Sequence, residues 1–269
     1  NNENSQQFCS GLGIQSTQVI FNSTVEGTVF TWNTELNEFL SPNYPLTGNN
    51  STFIPPLQNI INSTDVSQEI IYTVIPTADG CEGEPFIYTY TVDPTPSISD
   101  ISQTICDGDV FESINPSNIT GNIVPAGTEY NWVINEDLTS DQISGAVAGS
   151  GSIITGVELS NSSNIAQNLV YTVSPVVTGT NCEGEEFNIT ITVNPDAEIN
   201  DIGPISVCSG EEFTVNPSEF VNNIIPAGTV FSWEIPSNSN SGLSGMSSGS
   251  DLSSIVQTIN STASSQLSL

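Results

Sequence analysis

The chain contains no lysine, no arginine and no histidine in 269 residues, against 30 aspartates and glutamates. Globular chains are about 25% charged with both signs present, whereas here the carboxylates alone make 11%. The acidic side is ordinary; the cations are missing. Without histidine there is no imidazole base, no Ser-His-Asp or Cys-His pair and no histidine-containing metal site. Without lysine there is no Schiff-base chemistry and no P-loop, and without arginine no bidentate clamp for phosphate or carboxylate. A formal charge of −30 repels nucleic acid and anionic membranes, which are held chiefly by Lys and Arg. Trypsin-like proteases find no site at all.

Long apolar runs are also absent. No stretch of 18 apolar residues occurs, so no membrane insertion is expected. The opening NNENSQQFC lacks a charged n-region and an apolar h-region. A secretion signal is therefore either already removed or lies upstream in a longer polypeptide. Carboxylate-only enzymes remain chemically open, since glycosidases and aspartic proteases need only paired acids. No D-T-G or D-S-G triplet occurs, however, and no acid stands alone in an apolar setting. The expectation is that the chain is not an enzyme and needs no cofactor.

What is present is repetition. GTVFTW, GTEYNW and GTVFSW place Trp32, Trp132 and Trp233 about 100 residues apart. PAGT recurs at 125–128 and 226–229, and Asn62-Ser63-Thr64, Asn161-Ser162-Ser163 and Asn260-Ser261-Thr262 hold similar places. IYTV (71–74) matches VYTV (170–173), and CEGEPF (81–86) matches CEGEEF (182–187). The domains are accordingly read as 1–94, 95–195 and 196–269, the third lacking its last two strands because Leu269 falls where its Tyr-Thr-Val should begin. Asp93-Pro94-Thr95-Pro96 and Asn194-Pro195-Asp196 form short, semi-rigid linkers, since proline fixes φ and keeps its predecessor extended.

Within each copy the apolar residues alternate with period two. Tyr130, Trp132 and Ile134 share one face, as do Ile189, Ile191 and Val193. Breakers arrive every 8 to 15 residues, and no segment of helical length has a 3.6 period. About seven short strands per copy predict an all-β chain of tandem two-sheet sandwiches in an extended array. The runs 171–177 and 185–193 are read as a terminal hairpin. Phe30, Trp32, Tyr130, Trp132, Phe231 and Trp233 are assigned to the cores rather than to a sugar-stacking platform.

The five cysteines fall in one pattern. Cys9, Cys106 and Cys208 open the copies, while Cys81 and Cys182 sit near the ends. Similar separations predict disulfides Cys9–Cys81 and Cys106–Cys182, each clamping the first strand of a copy to its last, in an oxidising compartment. Buried free thiols are the alternative. Cys208 stands alone, its mate expected beyond Leu269. Zinc is disfavoured, because neighbouring C-x-x-C sulfurs and histidines are both missing.

An aromatic-x-Trp strand, a later Tyr-Thr-Val (Tyr72, Tyr171) and a closing I-T-V-N-P together resemble the PKD-type immunoglobulin-like domain. The form it resembles occurs as repeats in giant cell-surface proteins of Bacteroidota, including gliding-motility adhesins. The likeness covers two copies wholly and the third partly. The D-F-G-D-G-type turn of archetypal PKD domains is absent after the tryptophans, and the cysteines do not follow the immunoglobulin B–F arrangement. The resemblance implies an exported, extracellular stalk or filament on a bacterial cell surface. Its partners would be neighbouring repeats, or a surface glycan or protein held by loops at the sandwich ends. SPNYPLTGNNSTFIPP (41–56) diverges strongly from GAVAGSGSIITG (145–156) in the second copy, which loop drift explains equally well.

Acid-rich turns mark the one metal candidate. Calcium takes six to eight oxygens, and Asp107, Asp109, Asn135 and Asp137 are where it would bind, although solvated turns are the plainer reading. N-x-S/T sequons at Asn22, Asn62, Asn118, Asn161, Asn188 and Asn260 would be glycan acceptors in a suitable host.

Overall fold

The structure is a computed structural model that describes residues 4–11, 13, 15–235 and 242–263. The first copy contains ten short strands. They are β1 (Ser5–Cys9), β2 (Val19–Ile20), β3 (Val29–Asn33), β4 (Leu40–Ser41), β5 (Thr47–Gly48), β6 (Phe53–Ile54), β7 (Ile61–Asn62), β8 (Gln68–Ala78), β9 (Cys81–Glu82) and β10 (Phe86–Asp93). The principal sheet has the order β1-β10-β8-β3-β5, with β9 folded back onto β8. The ladders β2–β6 and β4–β7 lie outside this sheet. They supply the opposing layer of the sandwich.

Alternation along the two long strands decides which face is buried. Ile70, Tyr72 and Val74 of β8 and Tyr88, Tyr90 and Val92 of β10 point inward, while Ile71 and Ile87 are exposed. Phe30 and Trp32 of β3 join them, and Phe21, Leu40, Ile54, Leu57 and Ile60 close the core from the other layer. The aromatic rings interlock edge to face: Trp32 to Tyr72 at 5.3 Å and Tyr72 to Tyr90 at 5.9 Å. Such pairs add about 0.5–1.5 kcal/mol beyond the area they bury.

The second copy repeats the plan with β11 (Ile101–Cys106), β12 (Thr128–Ile134), β13 (Ile143–Ser144), β14 (Gly149–Gly151), β15 (Ser160–Asn161), β16 (Gln167–Val177), β17 (Cys182–Glu183) and β18 (Phe187–Asn194). Its sheet order is β11-β18-β16-β12-β14, with β17 on β16. The β16–β18 pairing is the hairpin expected at 171–193. Tyr130, Trp132, Leu169, Tyr171, Phe187 and Ile189 build its core. In the third copy β19 (Glu212–Val215) pairs with β23 (Ile255–Thr258), β20 (Phe231–Trp233) with β22 (Gly249–Leu252), and β21 (Leu243–Ser244) with β24 (Asn260–Ser261). Phe231 and Trp233 are half-buried there. The architecture is the all-β tandem sandwich predicted above, and its helical content is two short 3-10 turns at Pro116–Asn118 and Pro217–Glu219 among the described residues.

One pairing was not foreseen. The first strand of each of the two full copies runs parallel to the last, so Cys9 lies opposite Asp93 and Cys106 opposite Asn194. The first-strand cysteine therefore stands at the exit end of its sandwich, beside the linker that follows. The hairpin cysteine stands at the entry end, where Cys81 pairs with Ala78 and Cys182 with Val177.

Candidate functional site

The junction between the first two sandwiches holds the structure's one disulfide among the described residues, and it is not one the spacing predicted. Cys9 is bonded to Cys182, with Cα atoms 5.5 Å apart and a sequence separation of 173. Cys81, Cys106 and Cys208 are free and exposed. The expected pairs Cys9–Cys81 and Cys106–Cys182 are thus both incorrect, and the parallel first strand is the reason. Within a copy the two cysteines sit at opposite ends of a strand as long as Phe86–Asp93, which at about 3.3 Å per residue separates them by roughly 23 Å. A disulfide needs Cα atoms within about 7 Å. Bonding across the junction satisfies this, because the exit end of one sandwich meets the entry end of the next.

The junction is packed around the bond. Cys182 is fully buried, and Pro94 and Pro96 of the linker are buried too. Gly184, two residues after Cys182, lies against the linker: a β-carbon there would come within 2.3 Å of the Pro96 carbonyl oxygen. Its N–H donates to Pro175 O at 3.0 Å, which closes the small hairpin. Asp93 is 3% exposed and is held from both sides. One carboxylate oxygen accepts from Gln7 Nε2 and the other from Ser67 Oγ, each at 2.7 Å. The chain has no cation to offer, so neutral donors satisfy this buried carboxylate.

A second motif recurs inside each full copy. Asn62 and Asn161 are each 2% exposed, and their side chains knit three segments together. Asn62 Nδ2 donates to Val66 O and Val92 O, while its Oδ1 accepts from the Thr64 N–H and hydroxyl. Asn161 does the same with Ile165 O, Val193 O and Ser163. In the sequence these asparagines read as repeat markers and sequons; in the fold their amides are buried and fully hydrogen-bonded. The repeat Asn-Ser-Thr/Ser is a staple between the short β4–β7 or β13–β15 ladder and the last strand of its copy. The third copy is displaced by one residue: Ser261 stands opposite Leu243, the place that Asn62 takes opposite Leu40, and Asn260 is exposed.

The calcium candidates do not converge. Asp107 accepts from the Asn161 N–H at 2.7 Å, tying its corner to β15, and Asp109 accepts from the Cys106 N–H at 3.2 Å, capping its own turn. Asn135 donates its side chain to Thr172 Oγ1, and Asp137 lies on the turn that follows β12. No group of three or more potential ligands is gathered among the described residues. Phe30, Trp32, Tyr130 and Trp132 are 2–6% exposed and belong to the cores. The divergent stretch 41–56 is anchored to the sandwich at Tyr44 and Pro45, while most of its residues are exposed. Tyr44 is buried, its hydroxyl accepting from the Asn37 N–H at 2.7 Å and donating to Glu35 O at 3.0 Å. Burial raises the Tyr44 pKa, partly offset by the Asn37 contact. Tyr72 donates to Pro45 O at 2.7 Å. The surface depressions are shallow and open, one beside Ile199–Ile202 and another along β11. No helix among the described residues is long and apolar enough to cross a membrane.

No curated protein sequence matches the chain. Among solved structures it is similar to mouse clustered protocadherin PcdhgC3 EC1-3 (9% identity, TM-score 0.37, covering 73% of this chain and 66% of that one). It is also similar to protocadherin gamma B2 extracellular cadherin domains 1-5 (9%, 0.37, 98% and 52%) and to Sidekick-1 immunoglobulin domains 1-4 (14%, 0.30, 78% and 53%). The chain spans less than two thirds of each. The model of the PKD-like domain matches residues 6–96 and 103–197. Those segments carry the two full sandwiches and make up most of the sequence, and the chain belongs to the PKD-like domain family.

Proposed function

We propose that this chain is a spacer segment of a large exported cell-surface adhesin or filament, holding a binding element away from the cell for adhesion or gliding. Tandem PKD-like sandwiches are the kind of module found in extracellular adhesive and structural proteins. One observation carries the reading: successive sandwiches are joined end to end by a proline linker and by the Cys9–Cys182 bond. A binding module or catalyst needs a concave site with convergent polar groups, whereas the built feature here is a joint. The disulfide belongs in an oxidising compartment, which favours export. The charge of −30 opposes self-association and collapse onto an anionic envelope.

Small-angle scattering tests the proposal. A chain of this length packed as one globule has a radius of gyration of about 18 Å, and a spacer is expected well above it. A value near 18 Å would refute the reading.

A further inference from the structure

We infer that Cys106 and Cys81 are two halves of the same intermodular joint seen at Cys9–Cys182. Cys106 takes the hairpin cysteine of a following module, and Cys81 takes the first-strand cysteine of a preceding one. The array is thereby sewn by a disulfide at every junction. The inference rests on the spacer reading, but its chemistry comes from geometry that the two copies share.

The corner carrying Cys106 repeats the corner carrying Cys9. Ser10 N–H donates to Asp93 O at 2.7 Å, and Asp107 N–H donates to Asn194 O at 2.8 Å. Gly11 N–H donates to Ile60 O, and Gly108 N–H to Leu159 O, at 3.0 and 2.9 Å. The Asn62 N–H is received by Ser10 Oγ and the Asn161 N–H by Asp107 Oδ1. Cys106 thus points from the same place as a cysteine that is already bonded. It also borders the shallow, open depression along β11 that includes Gln103, Ile105, Val110 and Glu112.

The hairpin end repeats equally well. Cys81 and Glu82 pair with Ala78 and Thr77 as Cys182 and Glu183 pair with Val177 and Val176. Gly83 N–H donates to Pro76 O at 2.8 Å, matching Gly184 and Pro175. Gly184 is the residue on which the Pro96 carbonyl rests, and in the first copy Gly83 holds the same empty space ready. A free cysteine beside a preformed linker seat is a second, separate feature of the joint. Both thiols are exposed, while their bonded counterparts are half-buried (Cys9) and buried (Cys182), as expected of half-joints without their mates.

The bond forms by thiol–disulfide exchange with a small-molecule disulfide oxidant such as oxidised glutathione. The Cys106 thiolate attacks the oxidant and releases one thiol. The incoming hairpin thiolate then attacks the mixed disulfide and releases the second. Two protons leave the cysteines, and the oxidant takes two electrons to become two thiols.

The test completes the third copy by grafting residues 171–195 of the second copy after Leu269, which supplies a hairpin cysteine. After folding in a glutathione redox buffer, peptide mapping should find Cys106 joined to the grafted cysteine, with Cys9–Cys182 retained. A grafted cysteine bonded to Cys208 instead, with Cys106 free, would overturn the inference. A second measurement needs no graft. In Cys9→Ser, Cys182 should remain an alkylatable thiol, because its only geometric partner is gone; a Cys106–Cys182 bond would show that pairing follows proximity in sequence, and would overturn the rule. Should the graft fail to fold, this variant decides. Neither result alters the scattering profile that tests the spacer reading, so the two can fail separately.

Discussion

Gly149 lies beneath the indole of Trp132, opposite it across the β12–β14 ladder, so close that a β-carbon there would stand 2.5 Å from Cζ2. The same relation holds between Gly48 and Trp32 at 2.2 Å and between Gly249 and Trp233 at 2.3 Å. Three copies thus use a cross-strand glycine to give the ring room to lie flat on the sheet. None of the three has positive φ, so the requirement is space. Gly149→Ala should destabilise the second sandwich by about 1–3 kcal/mol through overpacking. Urea denaturation followed by tryptophan fluorescence measures this, and a neutral result would show that the ring has another place to go.

The buried asparagines make a second prediction. Asn161→Ala strands the Ile165 and Val193 carbonyls and the Ser163 donors, so a loss of about 2–3 kcal/mol is expected. Ser162→Ala, on the exposed position beside it, should cost far less. Expression in a glycosylating host gives a companion readout: Asn62 and Asn161 should stay unmodified in folded protein, while exposed Asn22 and Asn118 are free to react.

The tyrosines divide by whether the hydroxyl is satisfied. Tyr130 Oη is buried with no hydrogen-bond partner, and burial pushes its pKa up from 10.0 to about 12. Tyr130→Phe should be neutral or stabilising, whereas Tyr72→Phe, which loses the bond to Pro45 O, should cost about 1 kcal/mol. Because the folded-state pKa is raised, the stabilisation is complete below about pH 10, where both states are protonated. It falls as pH climbs toward 12, since the unfolded chain ionises first. Denaturation midpoints measured at about pH 9 and about pH 11 should show the drop, with a smaller one in Tyr130→Phe.

Thiol counting checks the connectivity. Folded chain should react with maleimide at Cys81, Cys106 and Cys208, and at Cys9 and Cys182 only after reduction. Protection of Cys106 in the absence of a partner would contradict the structure.

What the sequence made legible follows from what is local. The period-two alternation of Tyr130, Trp132 and Ile134 identified both strand and buried face, and the recurrence of Trp at equal spacing identified the modules. The cysteine partners were not legible. Similar separations within a copy are equally compatible with a bond inside it or across its ends, and the direction of β1 against β10 decides. That direction is set by the corner at Ser10 and Asn62, through hydrogen bonds between residues 52 apart, and no run of adjacent residues encodes it. Gly48 and Gly149 were hidden for a similar reason: a glycine in a Gly/Ser-rich stretch looks like a turn until the tryptophan across the ladder is in view. Asn62 and Asn161 were masked by their own sequon, which reads as a surface signal.

The position of the Cys9–Cys182 bond also decides where tension travels. Pulled from its two ends, the chain transmits force through nine residues, across the sulfur bridge and onward from Cys182. The folded segment between, residues 10–181, is bypassed by the load. Most strands of both sandwiches are therefore shielded from tension, with β1 and β18 left in the line of force, and unfolding the shielded segment after reduction would add about 600 Å of length, at roughly 3.5 Å per extended residue.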